Sequence, residues 1–306
     1  MRHTAPDAAI HLQHRHSSGQ VPRIVVTVAP VAHADTYLPD GCSNPSTPQE
    51  IAEEARRCAD TGASVIHLHT REVNGAITSD MTVFRRTLDL VCGSTQLIIN
   101  GSTGGASNLT REERCLSLTD ERVELASLNM GSTNFGDSVY INTLADIRYW
   151  ASRMREAGVV PELEVFAPGM VQTARELEVE GVLVAPLHFN ICLGFPGSTP
   201  ATVGELTHMA GLCGGRSFWG FLHEGMTDLR LISAALGLGA SGLRVGYEDG
   251  GFVRADKPAR SNAELVETLV TLIRAAGCEP ATPDEAREEL GLSAGQPGGR
   301  SKRGEN

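Results

Sequence analysis

The sequence predicts an α/β chain folded as a single-domain (β/α)8 TIM barrel. Short apolar, β-branched runs alternate with longer amphipathic segments, which is the pattern of βα units around a parallel sheet. Eight of each can be counted, and their starts recur at fairly regular spacing. A doubly wound sheet usually has fewer units and needs a strand-order reversal that sequence does not display, so the closed barrel is the better match.

The expected strands are residues 23–29, 64–69, 96–100, 123–128, 160–166, 182–188, 216–221 and 241–246. Helices are expected to follow at about 48–61, 80–92, 110–119, 141–157, 169–180, 200–212, 226–238 and 261–276. Thr47-Pro48-Gln49-Glu50 places Thr at the N-cap, Pro at N1 and a carboxylate at N3, while Gly62 and Gly158 can close helices. Residues 1–20 lack apolar periodicity and are expected to form a flexible N-terminal segment, with His11, His14 and His16 incidental to it. The barrel domain is expected to span 21–294, and the Gly- and charge-rich 295–306 to form a disordered tail.

Composition narrows the function. The chain has 306 residues, 41% hydrophobic and 21% charged, enough to bury a barrel-sized core. A formal net charge of −11 argues against nucleic acid or an anionic membrane as partner, since either needs a concentrated basic face. Neither a membrane-spanning run nor an apolar leader is evident, so a cytoplasmic soluble protein is expected. The seven cysteines are scattered, odd in number and without a CxxC pair, and are expected to be free thiols.

In a barrel, functional groups gather at the C-terminal strand ends. His67-Leu68-His69 ends the second expected strand; residues two apart share a face, so both imidazoles point to the mouth. The pair suits two ligands on one metal or two hydrogen-bonded histidines. The eighth strand ends in Arg244-Val245-Gly246-Tyr247-Glu248-Asp249-Gly250, and strands two and eight both neighbour strand one. Glu248 can then complete a two-histidine, one-carboxylate site with a position left for water or substrate. After the third strand, Asn100-Gly101-Ser102-Thr103-Gly104-Gly105 combines close-approach glycines with two hydroxyls that can donate to a carboxylate, or forms a structural turn; it is not a Walker loop. Ser127, Asn129, Ser132 and Asn134 follow the fourth strand, and Glu162 and Glu164 share a face of the fifth, fitting either catalysis or a buried ion pair. His188–Gly197 reads as a pocket-lining loop after the sixth strand, or an oligomer contact.

These pieces resemble the β-keto acid cleavage enzymes, whose founding activity is 3-keto-5-aminohexanoate cleavage in lysine fermentation. The matching motifs run in order from Arg23 to about Ala276: VTVAP, NPSTPQEIAEEA, GASVIHLHTRE, INGSTGG, SLNMGSTNF, PELEVF, LGFPG, FWGF, LRVGYED and SNAELVE. The resemblance implies a zinc-dependent barrel, or one using another divalent metal, that converts a β-keto acid plus acetyl-CoA into acetoacetate and a new acyl-CoA. It implies a homo-oligomer, often a tetramer. His67, His69 and Glu248 would be the metal ligands, Arg244 and Asp249 the acid–base pair, and Glu164 a further site residue. Ser102 and Thr103 would hold the substrate carboxylate or thioester, with Asn129 in the positioning loop.

The chain departs from the family at the loops. Pro30-Val31-Ala32-His33-Ala34-Asp35 replaces a Gly-containing turn whose polar residue contacts the substrate tail, which puts the tail's chemistry and the roles of His33 and Asp35 in question. EDN becomes EDG at Gly250, and Leu222-His223-Glu224-Gly225 stands where a Gly-Arg follows the seventh strand. Gly-Gly after LGFPG becomes Ser198-Thr199. Two competing readings follow from the residues: a zinc hydrolase of the amidohydrolase type, for which His188 and His223 are the later strand-end histidines, and a non-catalytic metal-binding barrel.

Overall fold

Alternation along each strand decides what points into the barrel. In the computed structural model, which describes residues 21–33, 37–104, 109–215 and 217–292, eight parallel strands pair in chain order and close on themselves. They are β1 (Arg23–Val28), β2 (Val65–Leu68), β3 (Ile98–Gly101), β4 (Val123–Asn129), β5 (Val160–Val165), β6 (His188–Leu193), β7 (Phe218–His223) and β8 (Gly242–Val245). The barrel closes where β1 pairs with β8, Val25 opposite Gly242 and Val28 opposite Val245, while Thr27 and Val28 also face Val65 and Ile66 of β2. One set of side chains, including Val26, Ile66, Ile99, Leu128, Leu163 and Ile191, packs outward against the helices. The other set fills the interior.

The helices are α1 (Pro48–Thr61), α2 (Thr82–Ser94), α3 (Arg111–Arg114), α4 (Leu144–Ala157), α5 (Pro168–Val179), α6 (Val203–Cys213), α7 (Arg230–Gly237), α8 (Asn262–Ala275) and α9 (Pro283–Glu289). Thr47 caps α1 in a full capping box with Glu50, and Gly62 ends it with φ 116°, as the local sequence requires.

Three expectations are corrected. The sixth strand is His188–Leu193, not 182–188: Pro186 has no N–H to give a central ladder, so pairing begins only beyond it, and the apolar segment read as a loop is the strand itself. The third helix is shorter than 110–119, with four residues of α3 followed by a 3-10 turn at Leu116–Thr119. α9 was not anticipated. It carries Ala286, and its C-cap Leu290, with Ala281 and Leu292, joins it against the lowest interior layer of Val25, Val65, Ile98 and Leu125, plugging the end of the barrel where the strands begin. The predicted segments 1–20 (His11, His14 and His16 included) and 295–306, and also Asp35, lie outside the described residues. All seven cysteines are free, and no described helix is long and apolar enough to cross a membrane.

Candidate active site at the barrel mouth

The inward register that places Val65 in the lowest layer lifts His67 and then His69 to the mouth of β2. Gly246, at φ 149°, lets the chain leaving β8 turn back over β1: a Cβ there would sit 2.1 Å from the Ala29 carbonyl oxygen, which instead accepts from Glu248 N–H at 3.2 Å. Glu248 thereby reaches across β1 to the histidines. His67 Nε2 and His69 Nε2 lie 3.3 Å apart, and Glu248 Oε1 lies 3.2 Å from His69 Nε2 and 3.8 Å from His67 Nε2. A tetrahedral ion with bonds of about 2.0–2.1 Å sets its ligand atoms about 3.3–3.4 Å apart. Two of the three edges match that spacing and the third, His67 to Glu248, is longer, so the three donors could hold one divalent cation with a fourth direction open.

Arg244, pointing inward from β8, organises the carboxylates. Its Nε and Nη2 donate to Asp249 Oδ2 and Oδ1 at 2.9 Å each, Nη2 also reaches Glu248 Oε1 at 2.9 Å, and Nη1 lies 3.8 Å from Glu164 Oε1. Arg71, two residues beyond His69, sits 3.5 Å from Glu248 Oε2 and donates to the Ala32 carbonyl at 3.2 Å. Burial pushes the Arg244 guanidinium down, but Asp249 and Glu248 outweigh it and hold its pKa above the ordinary value. Burial drives Asp249 up to about 6 and Glu164 up to about 8, both against the pull of Arg244. Glu248 is pushed up by burial yet held well below the usual range by His69, Arg244 and His67. Burial keeps His67 and His69 below the ordinary imidazole value, leaving lone pairs available to a metal.

One layer lower, Glu162 accepts from Asn100 Nδ2 at 2.6 Å and Asn190 Nδ2 at 3.2 Å, so it braces three strands while Glu164 faces the mouth. Ser102 and Thr103 are brought to the same end but differ in use. The Thr103 hydroxyl donates to the Ser127 carbonyl at 2.5 Å, whereas Ser102 Oγ accepts from Gly104 N–H at 2.9 Å and keeps its own proton to donate. Asn129 ends β4 with its buried Nδ2 unpaired. An open cleft adjoins the cluster, lined by His67, His69, Arg71 and Glu248 and, nearer its opening, by Asn44 and Ser46.

His188 is not at the mouth. It starts β6, two residues below Asn190, so the later-histidine set of an amidohydrolase cannot assemble. His223, at the end of β7, is bonded through Nδ1 to the Glu224 carbonyl at 3.2 Å and lies beside Phe221. Burial, with Asp249 and Glu248 adding to it, raises Glu224 to about 7. The EDG departure has a steric cause: a Cβ at Gly250 would lie 2.2 Å from the Met226 carbonyl oxygen. Arg71 was missed by sequence reasoning: it lies beyond the end of β2, where alternation no longer fixes the direction of a side chain.

A closed barrel with perturbed carboxylates and histidines crowded at its C-terminal strand ends is a TIM-barrel enzyme. More narrowly, this chain belongs to the β-keto acid cleavage enzyme family, whose sequence pattern matches residues 23–292. It is 37% identical over 273 residues to the 3-keto-5-aminohexanoate cleavage enzyme of Acetoanaerobium sticklandii, covering 89% of this chain and 99% of that protein. The 3-oxoadipate:acetyl-CoA acetyltransferase of Cupriavidus necator is 31% identical, with 86% and 94% covered. Among solved structures, apo ObcA superposes with a TM-score of 0.71 at 22% identity, over 81% of this chain; this chain spans 65% of that one, and the likeness is one of fold.

Proposed function

We propose that the protein cleaves a β-keto acid with acetyl-CoA as co-substrate, giving acetoacetate and a new acyl-CoA, at a zinc-dependent site held by His67, His69 and Glu248. The observation that carries the metal reading is the triangle of donor atoms with edges of 3.2, 3.3 and 3.8 Å. The orientation of the carboxylate supports it: Glu248 Oε1 is turned towards both histidines while Arg244 and Arg71 hold the group in place. When bound, the ion supplies a Lewis-acid sink for charge on the keto oxygen.

The protein's own groups do the rest. Asp249, with its pKa raised to about 6, is largely ionised at neutral pH and takes a proton from the carbon between keto and carboxyl groups; the two bonds from Arg244 fix its direction. Glu164, raised to about 8, is protonated at the same pH and donates to oxygen where negative charge develops. Ser102 and the unpaired Asn129 amide orient the substrate carboxylate or thioester, while Thr103 ties their loops together.

The test has two parts. Metal analysis should find one zinc per wild-type chain and none in His67→Ala. Acetoacetate should form only when a β-keto acid and acetyl-CoA are both present; acetate and a free carboxylate formed from the keto acid and water with no thioester present overturn the transferase reading in favour of hydrolysis. The proposal includes a cytoplasmic homotetramer, checked by fractionation and sedimentation.

A further inference from the structure

The chain leaving β1 must pass between the two parts of the metal site, because β1 is flanked by β2, which carries His67 and His69, and by β8, which leads to Glu248. This passage is clamped at one residue. Ala32 N–H donates to Asn44 Oδ1 at 2.9 Å, and its carbonyl accepts from Asn44 Nδ2 at 3.1 Å and Arg71 Nη1 at 3.2 Å. With Ala32 fixed by three bonds, the next residue is delivered to the mouth.

That residue is His33. Its ring stands edge-on to His69, centroids 5.4 Å apart at 76°. A ring nitrogen of His33, a ring nitrogen of His69 and a carboxylate oxygen of Glu248 all lie within 4.8 Å of one another. A tetrahedral ligand edge is about 3.3–3.4 Å, and the 4.8 Å bound puts a His33 nitrogen beside two donors of the His67–His69–Glu248 triangle, on the side of His69 and Glu248. His67 lies on β2, His69 directly beyond its end and Glu248 in the turn after β8 where Arg244 holds it, whereas His33 lies in the loop after β1.

We propose that His33 is a displaceable fourth ligand: it occupies the open position of the divalent cation in the substrate-free protein and leaves it when a substrate oxygen takes that place. The inference rests on the metal reading above and adds to it a resting site closed by four protein donors. The exchange breaks one metal–nitrogen bond and makes one metal–oxygen bond, with no redox change.

The test uses the full chain loaded with Co2+ in place of the native ion. Two quantities are read without turnover: the visible absorption of the cobalt site, and the metal dissociation constant from chelator competition. His33→Ala should bind one Co2+ per chain with a changed spectrum and an affinity lower by roughly 10- to 100-fold, the range typical when a group supporting a metal is removed. Adding acetoacetate should shift the wild-type spectrum towards that of acetoacetate-bound His33→Ala, since both then hold the same donors. His67→Ala should lose stoichiometric binding altogether. Identical spectra and affinities for wild type and His33→Ala overturn the proposal while leaving the metal reading intact. Metal binding unaffected in His67→Ala overturns both. A His33→Ala effect confined to KM, with the cobalt site unchanged, makes His33 a substrate-tail contact and also rejects the proposal.

Discussion

The two ends of the barrel solve opposite problems with the same eight strands. At the mouth, Arg71, Arg244, His67, His69, Glu164, Glu248 and Asp249 are packed together as a cluster of ionisable groups taken out of water. At the other end, Val25, Val65, Ile98 and Leu125 meet Ala281, Ala286, Leu290 and Leu292 in an apolar plug. Like-charged carboxylates brought together out of water oppose folding, and buried apolar contact favours it. The lower end and the outer helical layer therefore stabilise a mouth that is arranged for chemistry, so substitutions at the two ends should separate activity from stability.

The sharpest break is at Asp249. Asp249→Asn keeps the size and hydrogen-bonding reach of the side chain but removes the base, so kcat should fall by about 10^2–10^4-fold, with metal content and thermal midpoint unchanged or the midpoint slightly raised. Steady-state kinetics beside calorimetry decides this. Loss of activity through unfolding instead would show that the pair with Arg244 is structural.

At the opposite end, Leu290→Ala removes the side chain at the C-cap of α9 that packs beneath the strands. The loss should be roughly 2–4 kcal/mol of unfolding free energy, measured in urea, with kcat at low temperature unchanged. A fall in kcat at full folding would mean that the plug transmits to the mouth and that the separation is wrong.

His188 makes the lower end sensitive to acid. It is buried with Nδ1 unpaired, and burial alone pushes it from 6.5 down to about 4. Between those values the unfolded chain binds a proton that the folded chain refuses. Its contribution is therefore complete above pH 6.5 and falls away as pH drops towards 4. The size is on the order of 3 kcal/mol. His188→Leu should flatten the stability profile across that window, and an unaltered profile would place the acid sensitivity elsewhere.

How far this division was legible depends on what each element signals locally. HLH and the RVGYED strand end announce the mouth because parity and the neighbourhood of strands one, two and eight follow from the barrel alone. Arg71 escaped because it lies beyond the last strand residue, where parity is not guaranteed. Two successive apolar runs, VLVAPLH and HFNICLGF, compete for the sixth strand, and ladder pairing chose the one without proline. His33 could be noticed but not placed, since its approach to His69 depends on a clamp by Asn44 and Arg71 that no periodicity encodes.

α9 was missed despite a readable start. Thr282-Pro283-Asp284-Glu285 repeats the pattern of Thr47-Pro48-Gln49-Glu50, and both form a capping box: Glu285 N–H donates to Thr282 Oγ1 at 3.3 Å, and Thr282 N–H to Glu285 Oε2 at 2.9 Å. What the pattern cannot say is that a short helix will be held by the barrel's underside rather than fray. Thr282→Ala should therefore cost about 1 kcal/mol of global stability only if α9 unfolds together with the barrel. If α9 opens by itself, the midpoint will hold and the change will appear as faster amide exchange confined to residues 283–290. The first outcome makes the plug part of the cooperative core. The second makes it a detachable cover, and would reduce the Leu290→Ala effect in step.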